Sequence, residues 1–216
     1  SAQDNFLEPK AVTGFTATGV NGGAFNNGSA NLAWTLPSDS PAATLYTIVS
    51  SPATTTQTTS STTLAFTGLA GGTSYTFTIT PSNAVGNGLT TTSGATTPTT
   101  VPAQVGAPSA SSSSAGTDVV SWSAPANGGS AITGYTITST PAGAVCTLDA
   151  NTSSFACTGL TDGTPYTYTV RAVNSVGNSS AVTTAALTTQ GAASAPAIIS
   201  ATTGDTKATI TFSGAV

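Results

Sequence analysis

Two blocks of this chain carry the same residues in the same order, and this internal repeat constrains the fold more than any other feature. Residues 33–37 (AWTLP) in the first block correspond to residues 121–125 (SWSAP) in the second, and residues 72–79 (GTSYTFTI) correspond to residues 163–170 (GTPYTYTV). The spacing is 88 residues at the Trp34 and Trp122 pair and 91 residues at the Tyr75 and Tyr166 pair. A repeat of this length predicts tandem small domains.

Apolar and polar residues alternate within each block, as in strands that bury one face. In the second block Tyr166, Tyr168 and Val170 share a face, and residues 75–79 repeat the pattern in the first block. Glycine, proline, asparagine and aspartate punctuate these segments at the positions of turns. The sequence therefore predicts an all-β chain of antiparallel β-sandwiches.

A third copy begins but does not finish. Residues 194–199 (SAPAII) match the start of a block, and residues 208–213 (ATITFS) read as its second strand, with Phe212 at the tryptophan position. Because two strands cannot bury a core alone, we expect either that the natural protein continues or that these strands find a partner. We assign residues 1–97 to module 1, with an N-terminal extension at 1–9, residues 98–190 to module 2 and residues 191–216 to the first strands of a third module.

The segments between the modules read as linkers. Residues 97–102 (TPTTVP) are stiffened by proline, whereas residues 189–196 (TQGAASAP) are expected to be looser. Short linkers of this kind predict an extended string of modules.

The combined pattern resembles the fibronectin type III family across both full blocks and the partial third. The resemblance implies immunoglobulin-like sandwiches with a core tryptophan, a leucine before a corner, a corner tyrosine whose hydroxyl caps nearby backbone, and Asn-x-x-Gly after the sixth strand. The signature residues are Trp34, Tyr46, Leu69, Tyr75, Trp122, Tyr135, Leu160, Tyr166 and Phe212. The family's Arg-Gly-Asp adhesion tripeptide does not occur, so that function is not carried over.

The two cysteines, Cys146 and Cys157, lie in the second block only. If their flanking segments are neighbouring strands, their Cα atoms fall about 5.5 Å apart, a distance that a disulfide accepts. The alternative is a pair of free buried thiols. The disulfide is the prediction, and it favours an extracellular or cell-surface location.

Composition excludes several classes of partner. Only 5% of the residues are charged, the formal net charge is −4, and the cations Lys10, Arg171 and Lys207 lie far apart. Nucleic-acid binding and polybasic membrane docking need clustered cations, so neither is expected. No apolar run reaches the roughly 20 residues of a membrane span. The expected partners are other copies of the chain, or a protein or glycan of the cell surface or matrix.

The sequence offers little for catalysis, and we predict that this chain is not an enzyme and holds no cofactor or metal. It has no histidine, which removes the usual base and the commonest metal ligand. We place most of the seven acids in solvated turns or near strand ends; they are Asp4, Glu8, Asp39, Asp118, Asp149, Asp162 and Asp205. A calcium site built from Asp149, Asn151 and Asp162 is the weaker alternative.

Three asparagines match the N-glycosylation acceptor pattern: Asn27, Asn151 and Asn178. Chance matches are common in a chain so rich in serine and threonine, so unmodified loop residues are the alternative. The two tryptophans could stack on sugars, but their mid-strand positions favour the core.

Three functions remain open from the sequence. The first is a structural or adhesive repeat segment of a large extracellular surface or filament-forming protein. The second is a phage virion component, such as a tail appendage or a capsid decoration. The third is a set of accessory modules in a secreted polysaccharide-degrading enzyme whose catalytic domain lies elsewhere.

Overall fold

The computed structural model describes residues 7–146, 152–191, 198–203 and 207–212. Every regular element in these ranges is a β-strand, and every strand pair is antiparallel. Within the same ranges, no helix has the length and apolar character that crossing a membrane requires. The predicted all-β fold is confirmed.

Module 1 is a sandwich of two sheets, in the orders β1-β2-β5 and β4-β3-β6-β7. Its strands are β1 (Thr13–Val20), β2 (Gly28–Thr35), β3 (Leu45–Ser51), β4 (Gln57–Thr59), β5 (Thr63–Leu69), β6 (Thr76–Ser82) and β7 (Thr91–Thr92). The alternation of apolar and polar residues in the sequence corresponds to an alternation of burial in the structure, since every second residue of β6 is buried. The two inner faces enclose one core, whose buried members are Val12, Ala30, Leu32, Trp34, Tyr46, Ile48, Phe66, Leu69, Tyr75, Phe77 and Ile79.

Module 2 repeats the sandwich with one change of strand pairing. Its strands are β8 (Gly106–Ser114), β9 (Thr117–Ser123), β10 (Ile132–Thr140), β11 (Val145–Cys146), β12 (Ser154–Thr158), β13 (Pro165–Asn174), β14 (Val182–Thr183) and β15 (Leu187–Thr188). The sheets run β11-β12-β9-β8 and β10-β13-β14, with β15 also on β13. Strand β4 of module 1 pairs with β3, whereas β11 of module 2 pairs with β12 in the opposite sheet. The two copies therefore differ at one sheet edge.

The second core repeats the tryptophan, the tyrosines and the leucine of the first core, whereas several of its other positions differ. Its buried members are Val105, Val120, Trp122, Tyr135, Phe155, Cys157, Leu160, Tyr166, Tyr168, Val170 and Ala172. In both modules the corner tyrosine accepts a backbone hydrogen bond: Tyr75 Oη from the amide of Ala70 at 3.1 Å, and Tyr166 Oη from the amide of Thr161 at 3.2 Å. Each corner tyrosine thus fixes the turn that leads into its own strand.

The disulfide joins β11 to β12. Cys146 and Cys157 are direct register partners, and their sulfur atoms are bonded. Their Cα atoms lie 4.1 Å apart, closer than the expected separation of about 5.5 Å and nearer the ~4.5 Å of a non-hydrogen-bonded antiparallel pair. The bridge attaches the chain after β10 to the sheet opposite β10.

Asp118 corrects the prediction that the acids are solvated. It lies in β9 and is fully buried. The physical reason is the strand period, because Asp118 has the same parity as Val120 and Trp122 and so points into the core with them. Its Oδ2 accepts hydrogen bonds from the Tyr168 hydroxyl at 2.7 Å and from the Thr189 hydroxyl at 3.2 Å, while its Oδ1 has no partner.

The last described strands form one hairpin, β16 (Ile198–Thr203) and β17 (Ala208–Phe212). Phe212 ends β17, and its side chain lies outside the description, as do residues 192–196 of the second linker. Asn151, Asp149, Asp4 and Asp205 also fall outside the described residues. The other two glycosylation candidates, Asn27 and Asn178, are exposed.

Candidate functional site: the junction between the modules

The first linker is a buried strip of backbone rather than an exposed tether. Thr100 is fully buried, and Val101 and Pro102 are buried beside it. The amide of Gly22 donates to the carbonyl of Thr99 at 2.8 Å, and the amide of Val101 donates to the carbonyl of Gly22 at 3.2 Å. The amide of Gly72 also donates to the carbonyl of Pro98 at 2.9 Å, so module 1 holds the linker through three backbone bonds.

Module 2 holds the same strip from the other side. The amide of Thr100 donates to the carbonyl of Gly128 at 2.8 Å. Asn174 Nδ2 donates to the carbonyl of Thr100 at 2.8 Å and to that of Asn127 at 2.9 Å. The Thr100 hydroxyl donates to the carbonyl of Val101 at 3.1 Å. Each polar group of Thr100 thus has a partner, as burial requires.

Two glycine turns meet across the junction. A Cβ added at Gly71 of module 1 would lie 2.3 Å from the carbonyl oxygen of Gly128 in module 2. A Cβ added at Gly129 would lie 2.3 Å from the amide nitrogen of Gly72. Gly72, Gly128 and Gly129 also have φ of +79°, +69° and +86°, in the left-handed region that favours glycine. The backbones approach so closely that no side chain fits between them.

The asparagine of each Asn-x-x-Gly motif holds the chain that enters its module. Oδ1 of Asn174 accepts from the amides of Val176 and Gly177, and Oδ1 of Asn83 accepts equivalent bonds from the next turn of module 1. Nδ2 of Asn83 donates to the carbonyl of Leu7 at 2.9 Å, just as Asn174 donates to Thr100. In both copies the asparagine of the motif therefore binds the backbone of the segment that leads into its module.

The corner of module 2 differs from the corner of module 1. Asp162 stands where the first repeat has Gly71, and its Oδ1 accepts from the amide of Gly116 at 3.1 Å. Its carboxylate also lies against Gly191, where an added Cβ would come within 3.0 Å of Oδ2. The Asp162 side chain turns onto its own module, so the glycine contact of the first junction is not repeated with these residues.

The described acids do not form a metal-binding cluster. Among the described residues, no group of three or more histidine, cysteine, aspartate or glutamate side chains converges on one point. Asp39 pairs with Lys10 at the surface, and the hydrogen bond and charge of Lys10 lower the pKa of Asp39. Trp34 and Trp122 are buried, leaving no open ring face for a sugar to stack on. The calcium alternative retains only Asp162 within the described residues.

One open groove of about 580 Å³ lies on the outer face of the β1-β2-β5 sheet. Thr16, Asn31, Ala33, Thr63 and Ala65 line it, together with their neighbours, and no charged or aromatic side chain takes part. The groove offers hydroxyl and methyl groups but no group that fixes a ligand's orientation. The junction, which combines buried backbone with several hydrogen bonds, is therefore the candidate functional site.

Most of the segments that form the junction could be recognised in the sequence, but the contacts between them could not. The turns at 70–72 and 127–130, the proline-containing linker and the Asn174 motif were each recognisable. Their meeting was not, because a turn glycine and an interface glycine look alike in one sequence. The duplicated asparagine was the available signal, since a polar side chain repeated beside each incoming segment indicates a bond to it.

Comparison with known proteins agrees with this architecture. The model of the fibronectin type III domain matches residues 11–99 and again residues 102–187. The chain belongs to the fibronectin type III family. The two matches abut at the buried linker, so each fibronectin type III module of this chain contributes one side of the junction.

A curated relative carries a similar stretch. The chain is 34% identical over 190 residues to Exoglucanase B of Cellulomonas fimi, an alignment that covers 84% of this chain and 17% of that protein. The chain thus spans about one sixth of the length of the relative it matches. A crystal structure of a multidomain fragment of titin matches with a TM-score of 0.41 and 18% identity, over 81% of this chain and 62% of that one.

The disulfide bears on the compartment in which the chain folds. A structural bridge between Cys146 and Cys157 persists in oxidising environments and is rare in a reducing cytosol. The bonded sulfur atoms support an extracellular location.

Proposed function

We propose that the two modules act as a non-catalytic spacer of fixed geometry within a secreted polysaccharide-degrading enzyme. The observation that carries this proposal is the junction, where the backbone of Thr100 is bonded to module 2 and its neighbours are bonded to module 1. A spacer that only joined two domains would need no such contact. A spacer that sets their separation and relative orientation needs it.

The strength of the junction follows from its burial. A net contribution of about 0.5–1.5 kcal/mol is typical of one hydrogen bond, and the junction has several that are shielded from water. Breaking one by bending would leave buried donors or acceptors unpaired, at about 1–3 kcal/mol each. Bending at Thr100 is therefore opposed by far more than thermal energy, and the pair moves as one body.

The similarity to Exoglucanase B supports the enzyme context. The matched stretch forms 17% of that protein, as expected of an accessory portion in a much longer chain. The near-neutral surface fits the same role, because only 5% of the residues are charged and the modules have little electrostatic pull toward other molecules. The spacer accordingly connects other parts of its own polypeptide.

The test uses the complete natural protein. Its coding sequence should contain a catalytic domain for polysaccharides, and residues 11–187 should be replaced by a Gly/Ser linker of equal length. We expect hydrolysis of an insoluble polysaccharide to fall while hydrolysis of a short soluble substrate stays unchanged, because only the first depends on how domains are spaced along a surface. If the replacement leaves the hydrolysis of both substrates at the wild-type rate, the proposal is contradicted. The absence of a catalytic domain from the complete protein would contradict it as well.

A structural role in an extracellular filament is the second candidate, and one feature favours it. Among the described residues, strand β10 of module 2 has no strand partner on one edge, and strand pairing between chains can use such an edge. Native particles of the complete protein distinguish the two candidates, because electron microscopy shows either filaments or dispersed molecules. The virion hypothesis stays a prediction.

A further inference from the structure

The two modules differ at the outer edge of the strand that follows the tryptophan strand. In module 1 this strand is β3, and β4 covers its edge through the pairs Tyr46 with Thr59, Thr47 with Thr58, and Ile48 with Gln57. In module 2 the strand is β10, and its only strand partner among the described residues is β13. Within the part of the chain that the structure describes, the nine residues of β10 therefore have no strand partner on one edge.

The disulfide explains why the edge is open. The chain that leaves β10 enters β11, which pairs with β12 in the opposite sheet and is bonded to it by Cys146 and Cys157. The segment that would repeat β4 is thereby drawn away. The open edge leaves the strand less well covered. Ile48 of β3, which pairs with β4, is fully buried, whereas the equivalent Ile137 of β10 is only partly buried.

The edge lacks the usual protection against strand pairing. Natural edges carry charges, prolines or bulges that discourage another strand from adding. Residues 132–140 read ITGYTITST, without a charge or a proline, and the one register irregularity lies at the start, between Ile132 and Gly134. From Tyr135 to Thr140 the strand is regular. This stretch is competent to pair.

We propose that this edge binds the same edge of a second copy of the chain, antiparallel, around a two-fold axis at Thr136. Such a contact is isologous, and it closes after two copies. In this register Thr136 lies opposite Thr136 of the second copy, on the outer face. Tyr135 lies opposite Ile137 of the second copy, on the inner face. Pairs of an aromatic with a β-branched residue stabilise antiparallel strands.

Charge does not oppose this pairing. Strands β10 and β13 carry one charged side chain, Arg171, which lies on β13 opposite Thr136 and donates to the carbonyl of Ser179 at 2.9 Å. Across the proposed dimer the two Arg171 strands are three strand spacings apart, about 14 Å. That separation exceeds the Debye length of about 8 Å at physiological ionic strength, so the repulsion is screened.

The experiment measures the mass of the 216-residue chain by sedimentation velocity over a concentration series. The wild-type mass should rise toward twice the monomer mass as concentration increases. Thr136→Asp and Thr136→Arg should each abolish this rise, because like charges then meet at the two-fold axis. An equimolar mixture of the two variants should restore it. The matched control, Thr47→Asp, changes the equivalent residue of the covered strand β3 and should associate like the wild type.

Circular dichroism and thermal unfolding establish that each variant is folded, and the mixing experiment itself requires folded chains. Amide hydrogen exchange should slow around the two-fold axis, in residues 135–137, as the wild type associates. A wild-type mass that stays constant up to the solubility limit overturns the proposal. So does association that survives Thr136→Asp, which would locate the contact elsewhere. A monomer whose β10 amides are protected only by an added peptide of the β4 sequence also overturns it, and identifies a site for a foreign strand.

Discussion

The hydroxyl of Tyr168 donates a 2.7 Å hydrogen bond to Oδ2 of Asp118 inside the core of module 2. Both side chains are fully buried, and the Thr189 hydroxyl donates to the same oxygen. Module 1 has Phe77 in place of Tyr168, so it needs no acceptor at this position. The polar cluster is therefore a property of the second copy alone.

A double-mutant cycle measures this pair. Tyr168→Phe should lower the free energy of unfolding of module 2 by about 1–3 kcal/mol, because Asp118 then loses a donor while it remains buried. Asp118→Ala should cost at least as much, since it leaves the Tyr168 hydroxyl unpaired and opens a cavity. The double variant should lose less than the sum, because removing both partners leaves fewer unpaired groups. The unfolding of module 2 in urea should be monitored by hydrogen exchange of the β13 amides. Hydrogen exchange of the β6 amides monitors module 1 and serves as the control. Simple additivity would mean that the bond contributes nothing.

Alkaline pH should destabilise module 2 through the same tyrosine. Burial, followed by the hydrogen bond and the charge of Asp118, raises the pKa of Tyr168 above its ordinary value of 10.0. The folded module keeps the phenolic proton where the unfolded chain releases it, so the stabilisation is complete below pH 10 and is lost as the pH rises above it. The slope approaches about 1.4 kcal/mol per pH unit.

Unfolding of module 2 should be measured at a series of pH values on both sides of the ordinary tyrosine pKa. Tyr168→Phe is the control, and it should show a shallower loss of stability over the same range. Equal slopes in the wild type and in this variant would exclude Tyr168 as the cause.

Much of the fold could be predicted from the sequence, because the information is local and duplicated. The period of two assigned inward faces correctly at Trp122, Tyr135 and Tyr168, and the same rule applied to Asp118 places it inward as well. The prediction of a solvated Asp118 rested on residue type and ignored strand parity. A carboxylate in a core is tolerated only with donors from distant strands, and a single sequence does not show which distant groups meet.

The junction and the open edge were harder to predict for a different reason. The junction depends on contacts between segments far apart in the chain, such as Gly71 with Gly128, and the open edge depends on β11 pairing with β12 instead of β10. The linker was predicted only as a connection stiffened by proline, because its own residues do not show what they contact. Its burial depends on turns from both modules, and those turns are read locally as ordinary glycine turns.

Loss of the disulfide should weaken module 2 and leave module 1 unchanged. The bridge closes a loop with a sequence separation of 11 residues, which corresponds to about 2–3 kcal/mol of stabilisation. A Cys146→Ser, Cys157→Ser double variant should therefore lower the midpoint of one calorimetric transition only. Module 1 supplies the internal control, because it has Phe66 where module 2 has Cys157. A shift of both transitions would show instead that the modules unfold together.

A single methyl group at Gly71 should break the junction without unfolding either module. Gly71 lacks a left-handed φ, so alanine fits its backbone, and the obstacle is the Gly128 carbonyl oxygen, 2.3 Å from the added Cβ. Gly94→Ala is the matched control, because a Cβ there meets nothing within 4 Å. We expect Gly71→Ala to speed amide exchange at Thr100 and to make the modules align independently in residual dipolar coupling measurements, while Gly94→Ala leaves both unchanged. If Gly71→Ala also leaves both unchanged, the turns yield easily, and the proposed fixed-geometry spacer loses its physical basis.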